Sequence, residues 1–240
     1  VPPLREVEKI GGFDFLKVGE HLASIVVEQG GLRHQDRVLD IGCGLGRLAV
    51  GLRSHLTTGE YAGFDIYRRG IKWCRRNLEW KLPNFHFSFV DVRNRHYNRR
   101  GTIEPEQFVF PYASDSFDVA FASSLFTHLT PGAVERYVAE AGRVVKPGGR
   151  VVASFFLING ETAPILDRTT PRFARVGAVH AVQDPDDPEA AVAYEEEAVR
   201  EAFFRHGLEI TTIYYGSWGF RGDTLSFQDF VVATKRADAV

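Results

Sequence analysis

The chain has 240 residues, 44% of them hydrophobic, which is enough to bury a full core. Its formal net charge of −2 excludes a global basic field of the kind that draws a protein to nucleic acid, and no apolar run is long enough to span a bilayer. Val1-Pro2-Pro3 offers no apolar signal core, and Cys43 and Cys74 lack metal-ligand spacing. A cytoplasmic protein with free thiols, no membrane partner and no metal is therefore expected, in one domain over 1–240.

In chain order, the first element is a helix over about 13–30. Phe15, Leu16, Val18, Leu22, Ile25 and Val26 recur near helical spacing, and Gly30-Gly31 ends the run. Val38-Leu39-Asp40-Ile41 then reads as a buried strand, Gly42-Cys43-Gly44-Leu45-Gly46 as a tight turn, and the stretch from Leu48 as the start of a helix. Alternate glycines permit backbone angles that a Cβ forbids, and they let a ligand approach the main chain. A dinucleotide fingerprint would place its third glycine where Arg47 stands. The pattern is instead D-x-G-x-G-x-G. A carboxylate at Asp40 is unfavourable beside a pyrophosphate and favourable beside a sulfonium and an ammonium.

The second strand, Glu60 to Ile66, ends at Asp65, about twenty residues after the loop, where an acid reaches a ribose edge in nucleotide-binding βαβ units. Asp65 is also placed to cap a helix over Arg68 to Trp80. Arg68, Arg69, Lys72, Arg75 and Arg76 on that helix read as a solvated face. The third strand, Phe85 to Asp91, leads into the basic loop Arg93 to Gly101. That loop reads as solvated, or as a holder of a substrate carboxylate or phosphate. It is too short and isolated to argue for nucleic acid.

A fourth strand, Val119 to Ala122, is followed by Ser123-Ser124-Leu125-Phe126-Thr127-His128-Leu129, a helix over Pro131 to Val145, a Lys146-Pro147-Gly148-Gly149 turn and a fifth strand from Arg150 to Phe156. Gly160 to Ala193, rich in proline and acid, breaks the alternation and reads as a cap over the strand ends or as a surface loop. A helix over Tyr194 to His206 and two closing strands, Leu208 to Tyr215 and Phe227 to Lys235, complete the chain. Their short connection makes them antiparallel.

The Asp40–Gly46 loop, Asp65 and the run Val145-Lys146-Pro147-Gly148-Gly149-Arg150-Val151 resemble the class I methyltransferases that depend on S-adenosylmethionine (SAM), of the bacterial small-molecule type. The resemblance spans roughly 37–236. It implies an α/β, Rossmann-like three-layer sandwich with a seven-stranded, mostly parallel sheet of order 3-2-1-4-5-7-6 and an antiparallel last strand. It implies SAM as cofactor and S-adenosylhomocysteine (SAH) as product, bound by Asp40, Gly42, Gly44, Gly46, Asp65, Ile66, Asp91, Val92 and Ser123. It further implies direct displacement at the methyl by a small-molecule acceptor, foremost a hydroxyl oxygen of a sugar or glycolipid precursor. The segment after the fourth strand lacks the Asn/Asp-Pro-Pro-Tyr tetrapeptide, which argues against methylation of a nucleobase or glutamine nitrogen. His128 is the candidate general base. The same residue can instead cap the turn before Pro131 or pack beside Phe126 and Leu129, and His96 and Tyr97 stand in reserve. A SAM-binding protein of the same fold without catalysis remains open. A nicotinamide oxidoreductase is disfavoured by Arg47 and by the terminal antiparallel pair.

Overall fold

The structure, a computed structural model, describes residues 1–8 and 14–237. Eleven strands and six α-helices are present among them. Seven strands form the main sheet: β1 (Arg37–Ile41), β2 (Glu60–Asp65), β3 (Phe85–Phe89), β4 (Phe117–Ala122), β5 (Val145–Phe155), β10 (Leu208–Tyr214) and β11 (Asp229–Lys235). Their order is β10-β11-β5-β4-β1-β2-β3. Counted among these seven alone, that is the expected 3-2-1-4-5-7-6. β1 pairs parallel with both β2 and β4, whereas β11 runs antiparallel to β5 and to β10. Strands covered on both faces are apolar without alternation, and four of the five residues of β1 are buried.

The remaining strands form a small second sheet, β6 (Leu157–Ile158), β9 (Val192–Glu195), β8 (His180–Val182) and β7 (Ala174–Arg175), in that spatial order. The helices are α1 (Leu4–Glu8), α2 (Phe15–Ser24), α3 (Arg47–Leu52), α4 (Arg68–Cys74), α5 (Pro131–Val144) and α6 (Glu196–Arg205).

The chain gathers into two compact units. One comprises Val1–Glu104 and Ser116–Ala122, the other Pro105–Asp115 and Ser123–Val240. Stacked aromatics centre the first: the Tyr61 and Phe85 ring centroids lie 5.1 Å apart. The second has Phe126 stacked on Phe155 at 4.8 Å, and a separate cluster in which Phe156 and Phe173 each meet Trp218 edge to face.

Several boundaries differ from expectation for identifiable reasons. The N-terminal helix starts at Phe15, where Asp14 Oδ1 accepts the Leu16 and Lys17 amides, and its last turn, Ile25–Gln29, widens to π geometry. Phe13, the expected first residue, lies outside the described residues. The helix after β2 likewise turns to π geometry over Arg75–Glu79. Tyr194 is not helical: it pairs with His180 and Leu157 in the small sheet, so α6 begins at Glu196. β5 takes in the Lys146–Gly149 turn, where Gly148 has φ +75°, although its pairing with β11 covers only Arg150–Phe155. The segment 160–193 is folded rather than a loose loop: its Leu166, Phe173, Ala181 and Ala193 share one buried cluster with Ile158 and Trp218.

Candidate functional site

The first unit builds the site from the C-terminal ends of β1, β2 and β3. Gly42, Gly44 and Gly46 have φ of 80°, 54° and 75°, all in the left-handed region that a Cβ disfavours. The Gly42 and Cys43 amides both donate to the Phe64 carbonyl at 3.0 Å, which folds the loop back over β2. Asp65, at the end of β2, holds it there. Its Oδ2 accepts the Gly44 amide at 2.7 Å and its Oδ1 accepts the Tyr67 amide at 2.6 Å. Gly70, in the first turn of α4, lies so close that a Cβ would meet the Gly44 carbonyl oxygen at 2.6 Å. Asp65 is not the side-chain cap of α4, whose N-cap position is Tyr67.

Asp40 is 4% exposed, and its Oδ2 accepts the Tyr61 hydroxyl at 2.5 Å. Burial raises its pKa to about 7. The Tyr61 hydrogen bond opposes that rise, and the charge of Asp65 adds to it. Burial also raises the pKa of Asp65, against the pull of its backbone N–H partners. Burial thus favours the neutral form of both carboxyls in this unit.

Comparison with known proteins points to methyl transfer. Residues 38–149, a little under half of the chain, match the methyltransferase domain family. The chain is 34% identical over 116 residues to phthiotriol/phenolphthiotriol dimycocerosates methyltransferase 1 of Mycobacterium ulcerans, a match covering 47% of this chain and 35% of that one. It is 30% identical over 162 residues to 27-O-demethylrifamycin SV methyltransferase of Amycolatopsis mediterranei, covering 66% of this chain and 53% of that one. The matches thus span about half the length of these curated relatives, or less. The fold matches magnesium protoporphyrin IX methyltransferase of Synechocystis, solved with bound SAH, at a TM-score of 0.61 and 15% identity, over 96% of this chain and 92% of that one.

The remaining expected residues fall as follows. Ile66, half-buried, follows Asp65. Asp91 and the buried Val92 lie just beyond β3, beside the end of β2, where the Val90 amide donates to the Asp65 carbonyl at 3.1 Å. The Asp91 carboxylate already accepts Asn98 Nδ2 at 3.1 Å and Thr102 Oγ1 at 2.9 Å, and these two bonds lower its pKa. It therefore anchors the basic loop, which Asn94 Oδ1 also folds by accepting the His96 and Tyr97 amides. Ser123 and His128 belong to the second unit. His128 is half-buried, and its Nδ1 lies 3.0 Å from the Glu189 carbonyl oxygen. A carbonyl only accepts, so Nδ1 carries a proton. Thr130, not His128, caps α5, through Oγ1 and the Ala133 amide. Among the described residues no group of three His, Cys, Asp or Glu side chains is gathered as for a metal. Cys43 and Cys74 are buried free thiols whose pKa values burial raises.

One residue of the site carries more weight than its sequence position suggested. Arg47 opens α3 directly after Gly46, and its Nε and Nη2 are buried without a hydrogen-bond partner. Desolvation lowers its pKa. A cation in the first turn of a helix opposes the helix dipole, and a buried unpaired one is costlier still. That conflict is readable in the sequence, where Arg47 served only to exclude the dinucleotide fingerprint.

Proposed function

We propose that this chain works as one domain over 1–240 and methylates a small-molecule acceptor, foremost at a hydroxyl oxygen, by direct displacement. The observation that carries the reading is the left-handed glycine loop, latched by Asp65 and followed by Arg47, whose Nε and Nη2 are buried without a hydrogen-bond partner. The residues fit SAM. Arg47 suits its α-carboxylate, Asp40 its cationic methionine end, and Asp65 with Ile66 its ribose. Asp91 and Val92 would border the adenine, and Ser123 completes the expected set.

SAM supplies an electrophilic methyl on a sulfonium. The chain supplies alignment, exclusion of water and a place for the acceptor's proton. His128 Nε2 is the proposed acceptor of that proton, its ring held by the contact between Nδ1 and the Glu189 carbonyl. The folded cap, 160–193, is proposed to select the acceptor. A sugar or glycolipid precursor is the acceptor class in keeping with the sequence resemblance. The relatives named above are methyltransferases that act on other small molecules by their names. A location in the cytoplasm is proposed with it. No described helix is long and apolar enough to cross a membrane.

Thermal denaturation with SAH, SAM and NADH tests the reading. SAH and SAM raise the melting temperature as ligands of the native state, and NADH does not. Stabilisation by NADH alone would overturn it.

A further inference from the structure

Residues 67–102 carry ten lysines and arginines against two carboxylates, in a chain whose formal net charge is −2. All of them lie in the first unit. The charge is organised. Arg68, Arg69, Lys72, Arg75 and Arg76 fall within one stripe about 120° wide at helical spacing, and all five are exposed. The opposite side of α4 is buried through Gly70, Ile71 and Cys74. Arg75 has Glu79 at 4.0 Å and the Phe87 carbonyl, and Arg68 lies over the Phe89 ring. Arg69, Lys72 and Arg76 have no carboxylate partner among the described residues. Like charges one turn apart destabilise a helix, so the stripe is held against its own repulsion.

Apolar surface adjoins it. Trp80, at the end of the same helical run, is 70% exposed with Lys81 Nζ 5.1 Å from its ring centre. A concavity of about 310 Å³ opens beside it, lined by Phe15, Leu16, Trp73, Leu78 and Leu82, with Arg53 and Lys81 also contributing. Leu16 is 41% exposed there. The basic loop adds Tyr97, 45% exposed, whose ring lies 6.3 Å from that of Tyr67 just before α4.

Cations in a stripe, an exposed tryptophan and an apolar recess together match an anionic amphiphile, with negative headgroups over the stripe and an acyl chain in the recess. A polynucleotide fits less well. The stripe, from Arg68 to Arg76, is only about 12 Å long at 1.5 Å per residue. No aromatic rings alternate along it for base stacking, and an apolar recess offers a phosphodiester nothing. We propose that this face docks peripherally on an anionic lipid surface. The proposal does not depend on the cofactor reading, and it concerns surface docking rather than a membrane span.

The test is sedimentation of the full chain with vesicles of phosphatidylcholine, with and without abundant phosphatidylglycerol. Binding is expected only with phosphatidylglycerol and is expected to weaken as salt rises. The triple variant R69E/K72E/R76E, checked for its fold by circular dichroism, loses affinity by at least about 100-fold, at about tenfold per 1.4 kcal/mol. Lipids brominated on the acyl chain quench the tryptophan emission of the wild type, and Trp80→Ala reduces that quenching. Should the triple variant not fold, Lys72→Gln and the salt dependence of the wild type carry the same test. Equal binding to neutral and anionic vesicles, or binding to neither, would overturn the proposal. So would tighter binding to single- or double-stranded DNA than to the anionic vesicles.

Discussion

Asp65 Oδ2 accepts the amide hydrogen of Gly44 at 2.7 Å, tying the end of β2 to the middle of a loop 21 residues earlier in the chain. The carboxylate thus shapes the loop before any ligand arrives. With up to four lone-pair sites and backbone partners at Gly44, Tyr67 and Ile66, the carboxylate keeps acceptor capacity for a hydroxyl. Latch and ligand holder are therefore compatible roles for this one side chain.

Removing it separates them. Asp65→Ala is expected to speed hydrogen exchange at the Gly44 amide and to lower SAH affinity on the order of 100-fold, since hydrogen bonds to charged groups contribute roughly 1.5–3 kcal/mol each. Calorimetry with SAH checks the second effect. Faster exchange with unchanged affinity would confine Asp65 to loop geometry.

Asp40 gives a pH dependence with a definite sign. Its pKa is about 7 in the folded chain, raised by burial, against about 4 when unfolded, so the native state binds the proton more tightly. The associated stability is complete below pH ~4 and is lost as pH rises through ~7, with a ceiling of about 4 kcal/mol. Asp229, raised to about 6 by burial, adds a contribution of the same sign. The informative quantity is therefore the difference between wild type and Asp40→Asn, which should shrink this slope in denaturant titrations from pH 4 to 8. An identical profile in the variant would place the titration elsewhere.

On the proposed function, the same group links protons to the cofactor. A sulfonium and an ammonium near Asp40 favour its carboxylate, so SAM binding near pH 6.5 should release protons. SAH, which lacks the sulfonium, should release fewer. Calorimetry in buffers of different ionisation enthalpy measures the difference, and equal release for both ligands would separate Asp40 from the sulfonium.

Arg47→Met keeps an unbranched apolar stem and removes the charge. SAH affinity should fall by about 10- to 100-fold, while thermal stability without ligand holds or rises because two buried, unpartnered donors are gone. Lower stability together with unchanged affinity would make Arg47 a structural residue.

His128→Ala should lower turnover by about 10²–10⁴-fold with SAH affinity unchanged. Near-normal turnover would leave alignment as the main source of rate. In the cap, Phe173→Ala should cost about 3–5 kcal/mol, because its ring packs between Phe156 and Trp218, at 5.3 and 5.8 Å. Chemical denaturation measures that cost.

The sheet order was legible because alternating strands and helices, right-handed crossovers and the Asp40–Gly46 loop all point to one topology. The loop was legible where backbone conformation demands a residue type, as at Gly42, Gly44 and Gly46. The sequence was less legible where one side chain serves two partners. The carboxylate of Asp91 reads as a ligand contact in the sequence but holds Asn98 and Thr102 in the structure. Tyr194 looked helical because a strand of four residues leaves almost no periodicity to read. The cap's fold rests on contacts between residues far apart in sequence, such as Phe156 with Trp218, which no local pattern announces.

The insertion of β11 between β5 and β10 has a consequence for synthesis. Asp229, at its start, accepts the Leu157 amide at 2.7 Å, the Gly216 amide at 2.7 Å and the Trp218 indole N–H at 2.6 Å. None of these donors has its acceptor until the last strand emerges from the ribosome. Until then β5 keeps an open edge and β10 has no strand to pair with. A nascent chain stalled before residue 229 therefore displays an apolar strand edge, which makes this interval the one in which chaperone capture is most needed.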